Sequence, residues 1–209
     1  MLEAVKRRRF RHWSLRYARR RLSLALYMRT HPDAPWLVAQ AVEFLSKWLR
    51  PTDVGFEWGS GRSTIWFAKR VRRLISVEHD KQWVDIVLRQ LGQLQNVELC
   101  YRQLEPNDGW DYIGPIQEIC PDESLDFCLV DGRLRERCAV EAVSKVKPGG
   151  LLILDNVDRY LPSDDSTPSS RRDYQNEIWT TFHKEMVAEW RYLQFSNGVS
   201  TTGIWVKPA

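Results

Sequence analysis

At 209 residues, with 43% hydrophobic and 28% charged positions, the chain has the length for one well-buried core and is short for two. No apolar run reaches the roughly 18–20 residues that a membrane span requires. The formal charge of +4 is unevenly placed: residues 1–29 hold ten Lys and Arg against one acid, Glu3, while the remainder holds 21 bases against 26 acids. That split predicts a basic N-terminal helical arm over 1–35 and a main domain over 36–209. The four cysteines, Cys100, Cys120, Cys128 and Cys138, form no C-x-x-C pair. Cys100 and Cys128 fall in strand-like apolar runs, as reduced thiols do, so the expected compartment is cytoplasmic. Arg19–Leu24 has a faint likeness to a twin-arginine export signal, but no small-residue cleavage site follows it.

Along the chain, residues 36–49 carry apolar side chains at helical spacing, with Pro51 as a stop. Val54–Trp58 reads as a strand broken by Gly59-Ser60-Gly61, and Ser63–Arg70 as the helix after it. Leu74–Val77 is a second strand closed by Glu78, Lys81–Leu94 a helix, and Val97–Tyr101 a third strand. Residues 104–124, rich in Pro, Asp and Gly, read as a loop. Leu125–Val130 is a fourth strand ending on Asp131-Gly132, and Arg135–Val146 a helix. Pro148-Gly149-Gly150 turns the chain into a fifth strand, Leu151–Leu154, ending on Asp155-Asn156. A polar loop, a helix at 173–187 and two strands, Tyr192–Phe195 and Thr202–Val206, complete the chain. Such alternation predicts an α/β fold with a mostly parallel sheet covered by helices on both faces, and the closing hairpin adds an antiparallel strand.

In sheets of this kind ligands bind beyond the carboxyl ends of the strands. Those ends carry Glu57–Gly61, Glu78, Asp131 and Asp155-Asn156, all polar or glycine and each directly after an apolar run. Glu57-Trp58-Gly59-Ser60-Gly61 has the form E-x-G-x-G. Glycines let backbone approach a ligand closely, and the next helix, near Ser63, offers free N–H groups. Glu78, at the end of the following strand, is placed to accept two hydroxyl hydrogen bonds from a ribose. A dinucleotide-binding turn would carry a third glycine where Thr64 stands, and no second nucleotide-binding half follows. Glu57 suits the cationic amino-acid end of S-adenosylmethionine better than it suits a pyrophosphate.

The run DVGFEWGSGRSTIWFAKRVRRLISVEHD resembles the first two motifs of class I S-adenosylmethionine-dependent methyltransferases, and LDFCLVDG and VKPGGLLILDN resemble their later ones. The resemblance covers about residues 50–207. It implies a Rossmann-like seven-stranded sheet with the last strand antiparallel, Gly59 and Gly61 against the cofactor, Glu78 on its ribose and His79 near its adenine. The region after the third strand, Arg102-Gln103-Leu104, offers no adenine contact of the usual kind.

For the chemistry, two routes stand side by side. In one, Asp131, Asp155 and Asn156 hold Mg²⁺, a hard-oxygen set, and the ion activates a bound hydroxyl. The other is metal-free, with Asp131 as general base or with proximity alone supplying the rate; Asp131 is also expected among the cofactor contacts. The D…D-N arrangement resembles that of catechol-type and sugar O-methyltransferases. Those of the catechol type carry a lysine where Leu134 stands here; Arg133 beside it suits an anionic or sugar acceptor. The expected acceptor is therefore a hydroxyl on a small molecule or sugar. A non-catalytic cofactor-binding module, attached to an anionic surface by its arm, is the alternative class. Residues 5–29 combine Arg clusters with Phe10, Trp13, Leu15, Tyr17, Leu22, Leu24, Leu26 and Tyr27. They either cap the domain and pair with its acids, lie on an anionic membrane face, or grip a nucleic-acid backbone, the least favoured of the three. The oligomeric state is not legible.

Overall fold

The computed structural model describes residues 14–105 and 107–209, so the first part of the basic arm lies outside the described residues. The helices are α1 (Leu15–Thr30), α2 (Ala39–Trp48), α3 (Arg62–Ala68), α4 (Lys81–Leu91), α5 (Trp110–Ile113), α6 (Pro115–Ile119), α7 (Arg135–Ala142) and α8 (Glu177–Thr181). The strands are β1 (Val54–Trp58), β2 (Arg73–Glu78), β3 (Val97–Tyr101), β4 (Leu125–Val130), β5 (Val146–Asp155), β6 (Arg191–Ser196) and β7 (Thr201–Val206). They form one seven-stranded sheet in the order β3-β2-β1-β4-β5-β7-β6. β1 to β5 pair in parallel, and β7 runs antiparallel between β5 and β6. The expected fold is therefore observed, with β7 as the reversed strand.

The two faces of the sheet follow from the period-2 alternation of strand side chains. Phe56, Trp58, Ile75, Val77, Cys128, Val130, Leu152 and Leu154 point to one side and pack with Tyr112, Ile116, Cys138, Ala142 and Trp179 from the helices there. Leu74, Phe127, Leu129, Leu151, Ile153 and Ile204 point to the other, against Leu37, Ala41, Leu45, Trp66 and Phe67 of the α2 and α3 layer. β4, buried at all six positions, is the central strand of both cores. Each fully buried large apolar side chain contributes about 1.5–3 kcal/mol. Cys120, Cys128 and Cys138 are buried and free, as small hydrophobes of these layers.

Several element boundaries differ from the sequence reading, each for a local reason. The helix expected from residue 36 begins at Ala39, because the Val38 N–H donates to the buried Thr202 hydroxyl at 3.2 Å and Val38 stays extended. The helix expected to reach Leu94 stops at Leu91, where Gly92 turns the chain with φ +58°. The helix after β4 ends at Ala142, and β5 starts five residues before Leu151 by pairing Val146 with Leu125. The expected loop at 104–124 contains α5 and α6, which bury Tyr112, Ile113 and Ile116. The helix expected at 173–187 is reduced to α8 and a wider π-type turn over Phe182–Met186. Asn176 caps α8 by accepting from the Trp179 N–H at 3.1 Å. Among the described residues no helix is long and apolar enough to cross a membrane.

Gly55 marks the tightest point between the central strands. A Cβ there would overlap the Phe127 ring of β4, which itself stacks on Phe67 at 4.5 Å between ring centroids. Gly55→Ala is expected to lower stability by about 1–3 kcal/mol through overpacking, and Phe127→Leu in the same chain should recover part of the loss. Urea denaturation of the single and double variants measures both effects.

Candidate cofactor and methyl-transfer site

Beyond the carboxyl ends of β1, β2, β4 and β5 the four acids occupy different surroundings. Glu57 is wholly buried. Its neighbours Phe56 and Trp58 face the α7 side, so alternation turns Glu57 toward α3. There its Oε1 accepts from the Ser76 hydroxyl at 2.8 Å, directly across the β1–β2 ladder, and from the Thr64 hydroxyl. Thr64 Oγ1 in turn accepts from the Gly61 N–H at 2.8 Å. A continuous strut thus runs from the strand through Thr64 to the glycine turn. Glu57 therefore shapes the turn from beneath and does not face an open ligand cleft, in contrast to the expectation for it. Its Oε2 is buried without a partner among the described residues. Burial pushes this carboxyl up to about 7, against the pull of Thr64, Ser76 and Ser63; the Asp131 charge adds to the rise. Ser63, itself buried, belongs to this second layer.

Gly59 has φ +93°, a backbone state that favours glycine, and a Cβ there would press on the Gly132 backbone. Its N–H donates to the Val77 carbonyl at 2.9 Å. Two strand-end turns therefore touch backbone to backbone. Ser60 is held by Glu78: its N–H and hydroxyl donate to Oε2 at 3.0 and 3.2 Å, while Oε1 accepts from the N–H groups of His79 and Asp80 at 2.8 and 2.9 Å. His79 Nδ1 lies 2.7 Å from Glu78 Oε1 without the geometry of a hydrogen bond. The His79 ring meets Tyr112 edge-on at 5.9 Å. Trp83, on α4, donates from Nε1 to the Ser60 carbonyl at 2.8 Å and leans on Gly61.

Asp131 and Asp155 do come together, but around a cation of the chain itself. Arg135, one turn beyond Asp131, donates to Asp131 Oδ1 at 2.7 Å, to the Asp131 carbonyl at 2.6 Å, to the Gly132 carbonyl at 2.9 Å and to the Asp155 carbonyl at 2.6 Å. Asp155, buried, accepts from the Thr202 hydroxyl at 2.8 Å across the β5–β7 ladder. The Asn156 amide donates to the Ser200 hydroxyl at 2.8 Å, with Asn156 at φ +54°. The expected Mg²⁺ set is thus corrected. The Asp155 and Asn156 side chains are turned to β7 and the loop before it, and a guanidinium occupies the point of convergence, so these residues do not fit the ion. Among the described residues no three His, Cys, Asp or Glu side chains form a metal-holding group either. Burial raises both carboxyls. Asp155, which also feels the Asp131 charge, is pushed up to about 8, and Arg135 pulls Asp131 part of the way back.

Arg133 is exposed, and its contact with the site is the backbone N–H, 3.2 Å from the Tyr112 hydroxyl. The arginine that organises the site is Arg135, legible in the sequence as the i+4 partner of Asp131 on a helix start. Tyr112 and Trp83, which wall the site, carried no comparable signal. Of the four acids, Asp131 is the open one, with its side chain 28% exposed against 5% for Glu78.

No family model matches the chain, and no curated protein matches its sequence. Solved structures do resemble it. A methyltransferase-like protein from Silicibacter pomeroyi shares 18% identity, with 84% of this chain and 89% of that one covered, at a TM-score of 0.57. An rRNA methylase from Streptococcus thermophilus is 10% identical over 80% and 94% of the two chains, at 0.58. A putative methyltransferase from Streptococcus mutans, in complex with S-adenosylhomocysteine, is 12% identical over 79% and 94%, at 0.56. The likeness shows that this chain has the Rossmann-like fold of these methyltransferases.

The raised carboxyls tie stability to pH. Asp155 at about 8 and Glu57 at about 7 keep protons that the unfolded chain releases near pH 4 (about 3.9 and 4.3). The stabilisation is present in full below those unfolded values and is lost as pH rises to about 8 and about 7 respectively. The slope is about 1.4 kcal/mol per pH unit for each proton of difference. Urea midpoints should therefore fall between about pH 5.5 and 8, and fall less steeply in Asp155→Asn. An unchanged slope in that variant would remove Asp155 as a source.

Proposed function

We propose that the protein is an S-adenosylmethionine-dependent methyltransferase acting on a hydroxyl of a small molecule or sugar, without a metal ion. The observation that carries the reading is the pair of carboxylates at the ends of adjacent parallel strands. Glu57 braces a glycine turn from below, and Glu78 closes on the same turn at Ser60. S-adenosylmethionine suits these residues. Gly59 lies where a side chain would not fit, and Glu78 is an acceptor for a diol. A carboxylate offers about four acceptor positions, and four N–H or O–H groups fill those of Glu78. The Ser60 hydroxyl, the longest of these contacts at 3.2 Å, is the one that ribose hydroxyls would replace. His79 and Tyr112 then flank the adenine side, and Trp83 covers the turn.

When bound, the cofactor supplies an electrophilic methyl group on a sulfonium. Asp131, the open carboxylate, accepts a hydrogen bond from the acceptor hydroxyl. Asp131 would take up the proton that the hydroxyl gives away when its oxygen is methylated. Arg135 holds Asp131 in place and opposes the rise that burial gives its carboxyl, while Asp155, with its raised pKa, keeps a second negative charge away from it. Arg133, exposed at the rim, is positioned to meet a polar or anionic part of the acceptor. The neighbours' names support methyl transfer in general; the choice of a hydroxyl acceptor rests on Asp131.

Two measurements test this. Calorimetry should show S-adenosylhomocysteine binding near micromolar, about −8 kcal/mol, weakened by about 1.5–3 kcal/mol in Glu78→Ala. Tighter binding of a nicotinamide dinucleotide would sink the reading. On a panel of hydroxyl acceptors, Asp131→Asn should lower kcat by about 10²–10⁴-fold with cofactor affinity nearly kept, and EDTA should leave turnover unchanged. Full activity in Asp131→Asn, or loss of activity in EDTA that Mg²⁺ restores, would refute the mechanism.

A further inference from the structure

The body-facing side of α1 and its outer side have different chemistry. Ser14 caps the helix by accepting from the Tyr17 N–H at 3.1 Å. Tyr17, Arg20, Leu24, Tyr27 and Met28 are half-buried against the domain. Arg20 reaches the Ser166 hydroxyl and packs on Gly198. On the outer side, Leu15, Leu22 and Leu26 are 88%, 71% and 61% exposed. Their spacing puts them on one stripe of the helix, with Ala18 and Ala25 between them, also exposed. Arg19 and Arg21 border the stripe on its two sides, Arg29 stands in line with it at the C-terminal end, and all three are exposed. Among the described residues, no arginine of α1 forms an ion pair with an acid of the domain. α1 thus packs on the domain through Arg20 and its half-buried neighbours without an ion pair to the domain's acids among the described residues.

We infer that α1 is an interfacial helix that lays Leu15, Leu22 and Leu26 into an anionic phospholipid surface, with Arg19, Arg21 and Arg29 on the lipid phosphates. A leucine stripe of this exposure needs an apolar neighbour, and arginines on both its borders need an anionic one. A bilayer of acidic lipid supplies both in one plane. A second copy of the chain would bring like charges together along both borders, and a nucleic-acid backbone offers nothing to three leucines. The sequence adds Lys6, Arg7, Arg8, Arg9 and Arg11 shortly before the helix, all of the same sign.

The test is flotation of the full chain with phosphatidylcholine vesicles, with and without phosphatidylglycerol. Binding should require phosphatidylglycerol, fall as salt rises, and drop at least about tenfold in Leu22→Glu/Leu26→Glu, whose circular dichroism and melting midpoint should match the parent chain. Arg19→Ala/Arg21→Ala/Arg29→Ala should also weaken binding. Three results would overturn the inference. One is vesicle binding untouched by the leucine substitutions. Another is a dimer in lipid-free ultracentrifugation that the same substitutions dissolve. The third is absence of binding to either vesicle. Because the readout involves no methyl transfer, its outcome is separate from that of the proposed activity.

Discussion

A carboxyl group with no access to water stands in β1, and much of the site is arranged around keeping it tolerable. Glu57 lies between β2 and β4 on the α3 side of the sheet, where an unpaired charge would cost several kcal/mol. Two hydroxyls answer it, one from the facing strand residue Ser76 and one from Thr64 in the first turn of α3. Thr64 can reach Glu57 only if α3 begins directly after a tight turn, and the same hydroxyl oxygen then fixes the Gly61 N–H. The turn's shape is thereby set by a hydrogen-bond chain rooted in the sheet. Glu78 secures the other side of the turn through Ser60. The glycine loop is clamped between two acids, one below and one beside it, before any ligand arrives.

The second half of the site solves a like-charge problem differently. Asp131 and Asp155 end neighbouring strands, and the Asp131 charge adds to the cost of ionising Asp155. Arg135 binds the carboxylate of one and the backbone carbonyl of both. Asp155, pushed up to about 8, can then stay protonated and inward, hydrogen-bonded to Thr202, while the partly exposed Asp131 carboxyl is held by the guanidinium. Two residues of one chemical type thus meet different surroundings, one a guanidinium and the other a buried hydroxyl. The antiparallel β7 matters here, since it brings Thr202 opposite Asp155.

Strand positions were legible because the apolar runs in β1, β2, β4 and β5 are short, dense and bounded by glycine or acid, and the strand-end acids marked the functional edge of the sheet. Side-chain direction was harder to read. The alternation Phe56-Glu57-Trp58 contains the information that Glu57 faces away from its two aromatic neighbours, whereas the E-x-G-x-G motif alone points it at a ligand. The metal expectation failed for a related reason. Asp131 and Asp155 are adjacent across the sheet, as the strand order implies, but the guanidinium between them comes from α7, and only the fold shows that it arrives there. Helix ends depended on partners distant in sequence, as at Val38, whose N–H is taken by Thr202. α5 and α6 are hard to read because Pro, Gly and Asp punctuate a stretch whose inward apolar residues, Tyr112, Ile113 and Ile116, are few, and Trp110 of α5 is exposed.

The buried cysteines turn the core on the α7 side of the sheet into its own recorder. Cys128 sits in the central strand β4, Cys138 in α7 and Cys120 just beyond α6, and burial raises all three thiols above their ordinary range. A thiol reagent needs both access and the thiolate, so each of these sulfurs stays silent until the layer around it opens. Cys100, at the half-buried β3, is the internal contrast. Labelling times read residue by residue would thus rank how readily the edge of the sheet, its central strand and the covering helices part from one another, with no probe added to the chain.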